Sequence, residues 1–513
     1  MSTAASIAAV LVVSVATLVV GAYGLRVSRT TSDFYVASRG VGPILNASAV
    51  SGEYLSAASF LGVAGLILVR GADMLWLPVG WTAGYLLLLV FVAAPLRRSG
   101  AYTLPDFAQL RCESRAARTV SSVLVVAIGM LYLVPQFQGA GITLRTLTGA
   151  PRWVGQLVVA VVVSLNVLAG GMRSITFVQA FHYWLKLVAL LTPVFFLLVM
   201  WGAQGAPDVG TLDLAEWAEP LTGEHALYLT YSLVVATFLG TMGLPHVVVR
   251  FYTNRDGRAA RRTTLVVLVL LGGFYILPVL YGVLGRVFAH DLVAAGRADS
   301  VVLELPSRVF HGPVADLLTA LVAAGAFAAF LSTASGLVVS VAGVLSQDLF
   351  RWRTEHGQGI RAFRIATGVG VSVALLFTFV SADVPVAHAV ELTFAVAAST
   401  FCPMLVLGIC WRGLTAVGTI CGLIVGGSLS MTAVLATMFG IDREGWLGAV
   451  LTQPAAVTVP TAFATMVVAS VLTRHRRPEH LAQTMVRLHA PEHLGLDRGT
   501  FHPEQSTAAR RGS

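Results

Sequence analysis

Apolar stretches of about twenty residues recur along this chain almost from end to end, with short polar connections between them. A helix of that length crosses the hydrocarbon of a bilayer. Backbone groups in lipid must find their partners within their own segment, so the pattern predicts helices and no open sheet. Thirteen spans are predicted, at 5–25, 42–70, 73–96, 118–147, 152–170, 174–202 and 226–250, then 263–286, 313–347, 364–381, 386–410, 414–439 and 455–473. The fold class this implies is an all-α integral membrane protein. The N-terminal stretch lacks a basic region and a cleavage signal, so it reads as a retained first helix spanning residues 1–30.

The polar connections alternate in charge. Arginines gather on every second one: Arg26, Arg29 and Arg39; Arg97, Arg98, Arg111, Arg115 and Arg118; Arg173; Arg250, Arg255, Arg258, Arg261 and Arg262; Arg351, Arg353, Arg361 and Arg364; Arg412; and Arg474, Arg476 and Arg477. The intervening connections are acidic or mixed, as in Asp208, Asp213, Glu216, Glu219 and Glu224. By the positive-inside rule the basic side is cytoplasmic. The N-terminus is then outside and the C-terminus inside, in the cytoplasmic (inner) membrane. Residues 474–513 are polar and read as a partly disordered cytoplasmic tail.

Composition agrees with this and narrows it. Charged residues are 12% of the 513, hydrophobic ones 56%, and the mean hydropathy is +0.79, against roughly 25% charged in a soluble domain. The net charge of +9 is explained by loops facing anionic lipid, without nucleic acid. Four cysteines with no CxxC pair imply neither a disulfide framework nor a metal site. A Walker A motif is absent, which excludes an ATP-driven pump, and no TVGYG-type filter supports a potassium channel.

Three spans are poor as plain helices. The second holds Ser51-Gly52-Glu53-Tyr54-Leu55-Ser56-Ala57-Ala58-Ser59, with a glycine and a carboxylate in mid-span. The seventh holds Gly240-Thr241-Met242-Gly243-Leu244-Pro245-His246. The ninth holds Ala328-Ala329-Phe330-Leu331-Ser332-Thr333-Ala334-Ser335. Small residues serve close packing in membranes, but glycine and proline together also invite unwinding. The second and seventh spans are five apart, as in two five-helix repeats that each open with a broken helix. Carbonyls exposed at such a break suit a monovalent cation, and half-helix N-termini suit a carboxylate.

These stretches, with Ser32-Asp33-Phe34-Tyr35-Val36-Ala37-Ser38-Arg39, Tyr102-Thr103-Leu104-Pro105-Asp106-Phe107, Gly170-Gly171-Met172-Arg173 and Ser346-Gln347-Asp348-Leu349, resemble the sodium/solute symporter family over roughly residues 30 to 440. Within that family the stretches most resemble the cation/acetate symporter branch. The resemblance implies a LeuT-like inverted-repeat core of five plus five helices, with repeat one at about 42–203 and repeat two at about 226–411. The core would occupy 31–412, with two further helices in 413–473. It implies a Na+ site built from the carbonyls of Gly52, Leu55 and Ala329 and the hydroxyls of Ser332 and Thr333. In that site Gly52 acts through its carbonyl alone, so the side chain there should matter little. Ala58 and Ser59 stand where sugar-binding members carry larger polar groups, which implies a smaller substrate.

Ser56 and Ser59 are the candidate substrate residues on the broken helix, with Thr237 and Thr241 opposite and Gln136 and Gln138 from the fourth span. Glu53 and Lys186, the only lysine, are candidates for charge coupling; each could instead be an ion pair within the bundle, with the other as its partner. His182 and His246 read as packing residues and Glu391 as interfacial. The expected function is cation-driven uptake of a small monocarboxylate such as acetate, propionate or pyruvate, with Na+ as the co-transported ion and H+ as the alternative, and no enzymatic activity. Symport of proline, a sugar or pantothenate is the runner-up, followed by a channel or a sensor. The tail is short for a signalling domain. The sequence leaves open the oligomeric state and a small membrane partner protein.

Overall fold

A computed structural model describes residues 3–27, 41–207, 217, 221, 223–349, 358–381, 384–441 and 444–494. The predictions made on Arg29, Arg39, Asp208, Asp213, Glu216, Glu219, Arg351, Arg353, the 32–39 motif and the tail beyond 494 lie outside them. The described residues form helices α1 (Thr3–Val27), α2 (Pro43–Tyr54), α3 (Val63–Arg70), α4 (Trp76–Leu87), α5 (Ala93–Ser99), α6 (Leu104–Cys112), α7 (Arg115–Thr148), α8 (Arg152–Ala203), α9 (Ala226–Gly243) and α10 (Pro245–Tyr252). There follow α11 (Gly257–Phe288), α12 (Val301–Val309), α13 (Gly312–Val344), α14 (Gln358–Val380), α15 (Val386–Cys410), α16 (Ala416–Met438), α17 (Gly445–Thr452), α18 (Ala455–Leu472) and α19 (Leu481–His489).

Eleven helices among the described residues are long and apolar enough to cross a membrane. All thirteen predicted segments are helical, and the difference lies in two places. The 42–70 segment is divided: α2 stops at Tyr54, and the apolar run restarts at Ala58 and continues to Ser99. The stretch Arg152–Leu168 is apolar but short, and its helix runs on as α8 to Ala203. On either side of Ala169–Arg173, Asn166 donates to Ser335 and Gln179 donates to the carbonyl of Ser332, one turn apart on α13. A straight helix would hold those two side chains about 20 Å apart along its axis. The two arms of α8 therefore double back, and α8 supplies two membrane lengths.

The centre of the bundle is where α2, α8 and α13 meet. Glycines set the spacing there. A Cβ on Gly52 would stand 2.0 Å from the carbonyl oxygen of Gln179, so backbone touches backbone between α2 and α8. Gly240 and Gly243 let α9 approach the carbonyls of Phe394 and Ala397 on α15 equally closely. Small residues at such crossings allow the approach that packing in lipid depends on.

Several expectations change. Arg250 and Arg111 are buried, not loop residues: Arg111 donates to the carbonyls of Gly408 and Trp411. Glu391, near the start of α15, is buried, accepting from Gln453 and facing His388. The tail is ordered at first. Leu488 and Met485 of α19 are buried, Arg98 pairs with Glu492, and Glu492 accepts from the N–H of Gly257 at the start of α11.

Candidate cation and substrate site

The site begins with a break in a helix. At Leu55 the backbone leaves the helical region (φ −73°, ψ 87°) and closes α2 with a bond from its N–H to Ser51 O. The regular ladder resumes with Phe60 N–H to Ser56 O. Between these two bonds the backbone groups need other partners, because buried ones are almost never left alone. The N–H of Ala57 donates to Gln136 Oε1 at 3.0 Å, so Gln136 serves the start of the second half-helix. The carbonyl of Glu53 accepts from Thr333 Oγ1 at 2.6 Å. The carbonyl of Gly52 accepts from Ser332 Oγ at 2.7 Å, and Ser332 also reaches Ala329 O at 3.2 Å. The predicted residues Gly52, Leu55, Ala329, Ser332 and Thr333 are thus brought together, all buried.

Lys186 enters the same place from α8. Its Nζ donates to Gly52 O at 2.5 Å, Leu55 O at 2.7 Å and Ser332 Oγ at 3.1 Å. Glu53 does not pair with it. The Glu53 carboxylate instead accepts from Arg250 Nε at 2.6 Å. The guanidinium also donates to Thr176 Oγ1 at 2.9 Å and to Gln179 Oε1. Arg250, which charge counting had placed in a loop, is the functional-looking residue that sequence reasoning missed. Its signal was its position, five residues after the Pro245 that restarts the seventh span.

The substrate candidates divide. Thr241 accepts or donates with Tyr54 Oη at 2.9 Å, and Thr237 lies one turn away, bonded to Leu233 O. Ser59 pairs with Tyr275 Oη at 2.9 Å, and Ser56 is buried at the break. These flank an aromatic cluster in which Tyr54 packs on Tyr85 and Phe394, and His246 packs on Tyr132. Trp81 Nε1, Tyr85 Oη and both ring nitrogens of His246 are buried with no hydrogen-bond partner. Such groups are costly unless something pairs with them. Gln138 stands apart: it reaches Ser381 at 3.5 Å, at a cavity of about 650 Å³ lined in part by Arg145, Trp153 and Gln156.

The oxygens that converge on the break match a monovalent cation in kind, being carbonyls and hydroxyls without a carboxylate ligand. The room they enclose is taken by the Lys186 ammonium. Counted with their ordinary charges, Glu53, Arg250 and Lys186 sum to one net positive charge, a field that favours an anion.

The model of the sodium:solute symporter family matches residues 34–426, and the chain belongs to that family. An uncharacterized symporter of Bacillus subtilis, YwcA, is 30% identical over 505 residues, covering 93% of this chain and 96% of the relative. A monocarboxylic acid transporter of Corynebacterium glutamicum is 28% identical over 518 residues, covering 93% of each chain. Among solved structures, a substrate-bound, outward-open Na+-coupled sialic acid symporter matches with a TM-score of 0.70 at 14% identity, over 92% of this chain and 98% of its own. Mhp1, a nucleobase-cation-symport-1 family transporter in a closed conformation, matches at 0.56 and 14%, over 90% and 99%. The fold is therefore the LeuT-like inverted repeat, with α2–α3 and α9–α10 as its broken first and sixth core helices. Membership supports Na+-coupled uptake of a small solute by a multi-pass membrane protein.

Proposed function

We propose that this protein is a secondary active transporter that couples the movement of a cation to uptake of a small monocarboxylate such as acetate, propionate or pyruvate. The observation that carries the proposal is the meeting of the α2 break with α13, where the carbonyls of Gly52 and Leu55 and the Ser332 hydroxyl hold the Lys186 nitrogen beside the buried Glu53–Arg250 pair, and Thr333 holds the Glu53 carbonyl. We assign Gly52, Leu55, Ala329, Ser332 and Thr333 to the cation site. Ser56, Ser59, Thr237 and Thr241 border the substrate, Gln136 shapes the break that holds it, and Gln138 lies apart from them against Ser381. Glu53 and Arg250 lock the break to α10. Small side chains at Ala58 and Ser59, and the monocarboxylic acid transporter among the relatives, support the substrate class.

Repeat one (42–203) and repeat two (226–411) form the transporting core. Residues 1–30 and 413–473 add one and two helices to it. The N-terminus lies outside and the tail lies in the cytoplasm of a cell bounded by this inner membrane. A cation moving inward gains about 2.3 kcal/mol per charge per 100 mV; carried one-to-one with a monoanion the step is electroneutral, and the cation's concentration gradient then drives accumulation.

The test is uptake of labelled acetate into proteoliposomes under an inward sodium gradient and, separately, an inward proton gradient, with propionate and pyruvate as competitors and protein-free liposomes as baseline. Saturable accumulation above baseline that competitors suppress is the expected result. Its absence under both gradients, in correctly folded protein, removes the monocarboxylate reading. Uptake that neither saturates nor responds to a gradient indicates a channel.

A further inference from the structure

We infer that the cation seated in this site is the Lys186 ammonium, a tethered ion that takes the place a sodium ion would hold. The inference rests on the assignment of these oxygens as the cation site, and it names their occupant. Three observations carry it. First, the contacts are those of a ligand: two carbonyls freed by the break in α2, and one hydroxyl of α13, at 2.5, 2.7 and 3.1 Å from a single nitrogen. An ammonium has three N–H donors, and each is used. Second, Lys186 has no carboxylate to explain its burial. The one nearby, Glu53, is bonded to Arg250. The side chain is fully buried, so the oxygens of the break are what compensate its charge. Third, the charge count offers a sodium ion at this site no counter-charge. Arg250 neutralises Glu53, Lys186 leaves one positive charge over, and no other carboxylate is bonded to this group among the described residues.

The ammonium also joins three elements. It ties α8 to the broken helix and, through Ser332, to α13. A free ion would make that link only when bound; here it is built into the chain. The consequence is a change of ion specificity. The family implies sodium, but at this site the residues fit an ammonium supplied by the protein, and the site gains an affinity for sodium only when that ammonium is removed.

The experiment uses purified full-length protein and reads the thermal unfolding midpoint in sodium chloride against choline chloride at matched ionic strength, since an ion that binds only the folded state raises the midpoint. Wild-type protein is expected to show no sodium-specific shift. Lys186→Ala and Lys186→Met are expected to gain a saturable one, and Ser332→Ala in either background should abolish it. A saturable sodium shift in wild-type protein that Ser332→Ala removes overturns the inference. So does a lack of response in both folded lysine variants, because emptied oxygens of this kind should take the ion. If the variants do not fold, the wild type decides: labelled-solute uptake unchanged when choline replaces sodium supports the inference, and a saturable sodium requirement lost in Ser332→Ala overturns it. No substrate is needed for the midpoint measurement, so a failure of the monocarboxylate reading shows in the uptake assay alone.

Discussion

A methyl group at position 52 would lie 2.0 Å from the carbonyl oxygen of Gln179 and 3.4 Å from Tyr183 Cβ. Neither helix can yield there without moving the carbonyl that serves the cation site. Gly52→Ala should therefore cost more than the 1–3 kcal/mol typical of an overpacked core and abolish uptake, as a thermal scan and the transport assay would show. Little effect in both would mean that α2 and α8 stand farther apart than described. The sequence pointed to Gly52 through its carbonyl alone; what it could not reveal was the backbone packed against the missing side chain, since α8 is more than a hundred residues away. The Glu53–Arg250 pair makes a second residue-scale case. Removing one member leaves a buried charge, which costs about 3–5 kcal/mol. Glu53→Gln and Arg250→Met should each destabilise strongly, and the double variant should be less destabilised than the sum. Additive losses in that cycle would show that the pair does not interact. Lys186 and Glu53 were both visible as intramembrane charges, but which positive group each carboxylate meets is a matter of three-dimensional distance that spacing does not encode.

Elements were more legible than contacts. Length and apolarity alone located the membrane-length helices, while the short α6, α12 and α17 fall outside the predicted spans; a glycine with a mid-span carboxylate marked the break at Leu55, and glycine with proline the one at Leu244. Charge patterns misled at α19: a polar, charged stretch reads as disordered until some of its apolar residues find a surface. Met485 and Leu488 find one, and Glu492 fastens the end. Burial works to raise the Glu492 carboxyl, but the Gly257 N–H, its own N–H and the Arg98 guanidinium outweigh it and hold it below the usual carboxylate range. A lowered folded-state value means that the stabilisation is complete above the ordinary carboxylate range and is lost as pH falls through the lowered value. The group is partly exposed, so the effect is modest. A spin label at Val486, which is exposed, should be immobile at neutral pH and gain mobility as the pH falls below the ordinary carboxylate range. Glu492→Gln should be mobile at both. Equal mobility of the two proteins at neutral pH would show that Glu492 does not hold the helix.

At the scale of the whole molecule, the repeat plan follows from two breaks five spans apart, and the arginine alternation assigns the faces. The structure joins basic connections that the sequence keeps far apart. Arg97 donates to the carbonyls of Asn254 and Arg255, and Arg98 to the carbonyl of His489, so the connection after α5, the one before α11 and the tail share one face. On the other face, Asp73 accepts from the N–H of Leu221, and Glu224 is exposed beside His225. If lipid charge sets the orientation, the first face is cytoplasmic. Cysteine placed at Glu224 should react with a membrane-impermeant maleimide in intact cells, whereas cysteine at Arg255 should react only after permeabilisation. A background lacking the native cysteines is required, because Cys410 is exposed and Cys421 partly so. The reverse labelling would invert the topology and put the break in α2, with its lysine, on the opposite route to the cytoplasm. Labelling of both positions in intact cells would instead mean a mixed orientation, which the strong one-sided arginine excess argues against. Orientation matters to the transport reading because an inward-driven cation helps uptake only if the face that Arg97 and the tail share is the cytoplasmic one, and the Thr148 end of α7, with the cavity lined by Arg145 and Trp153, lies away from that face.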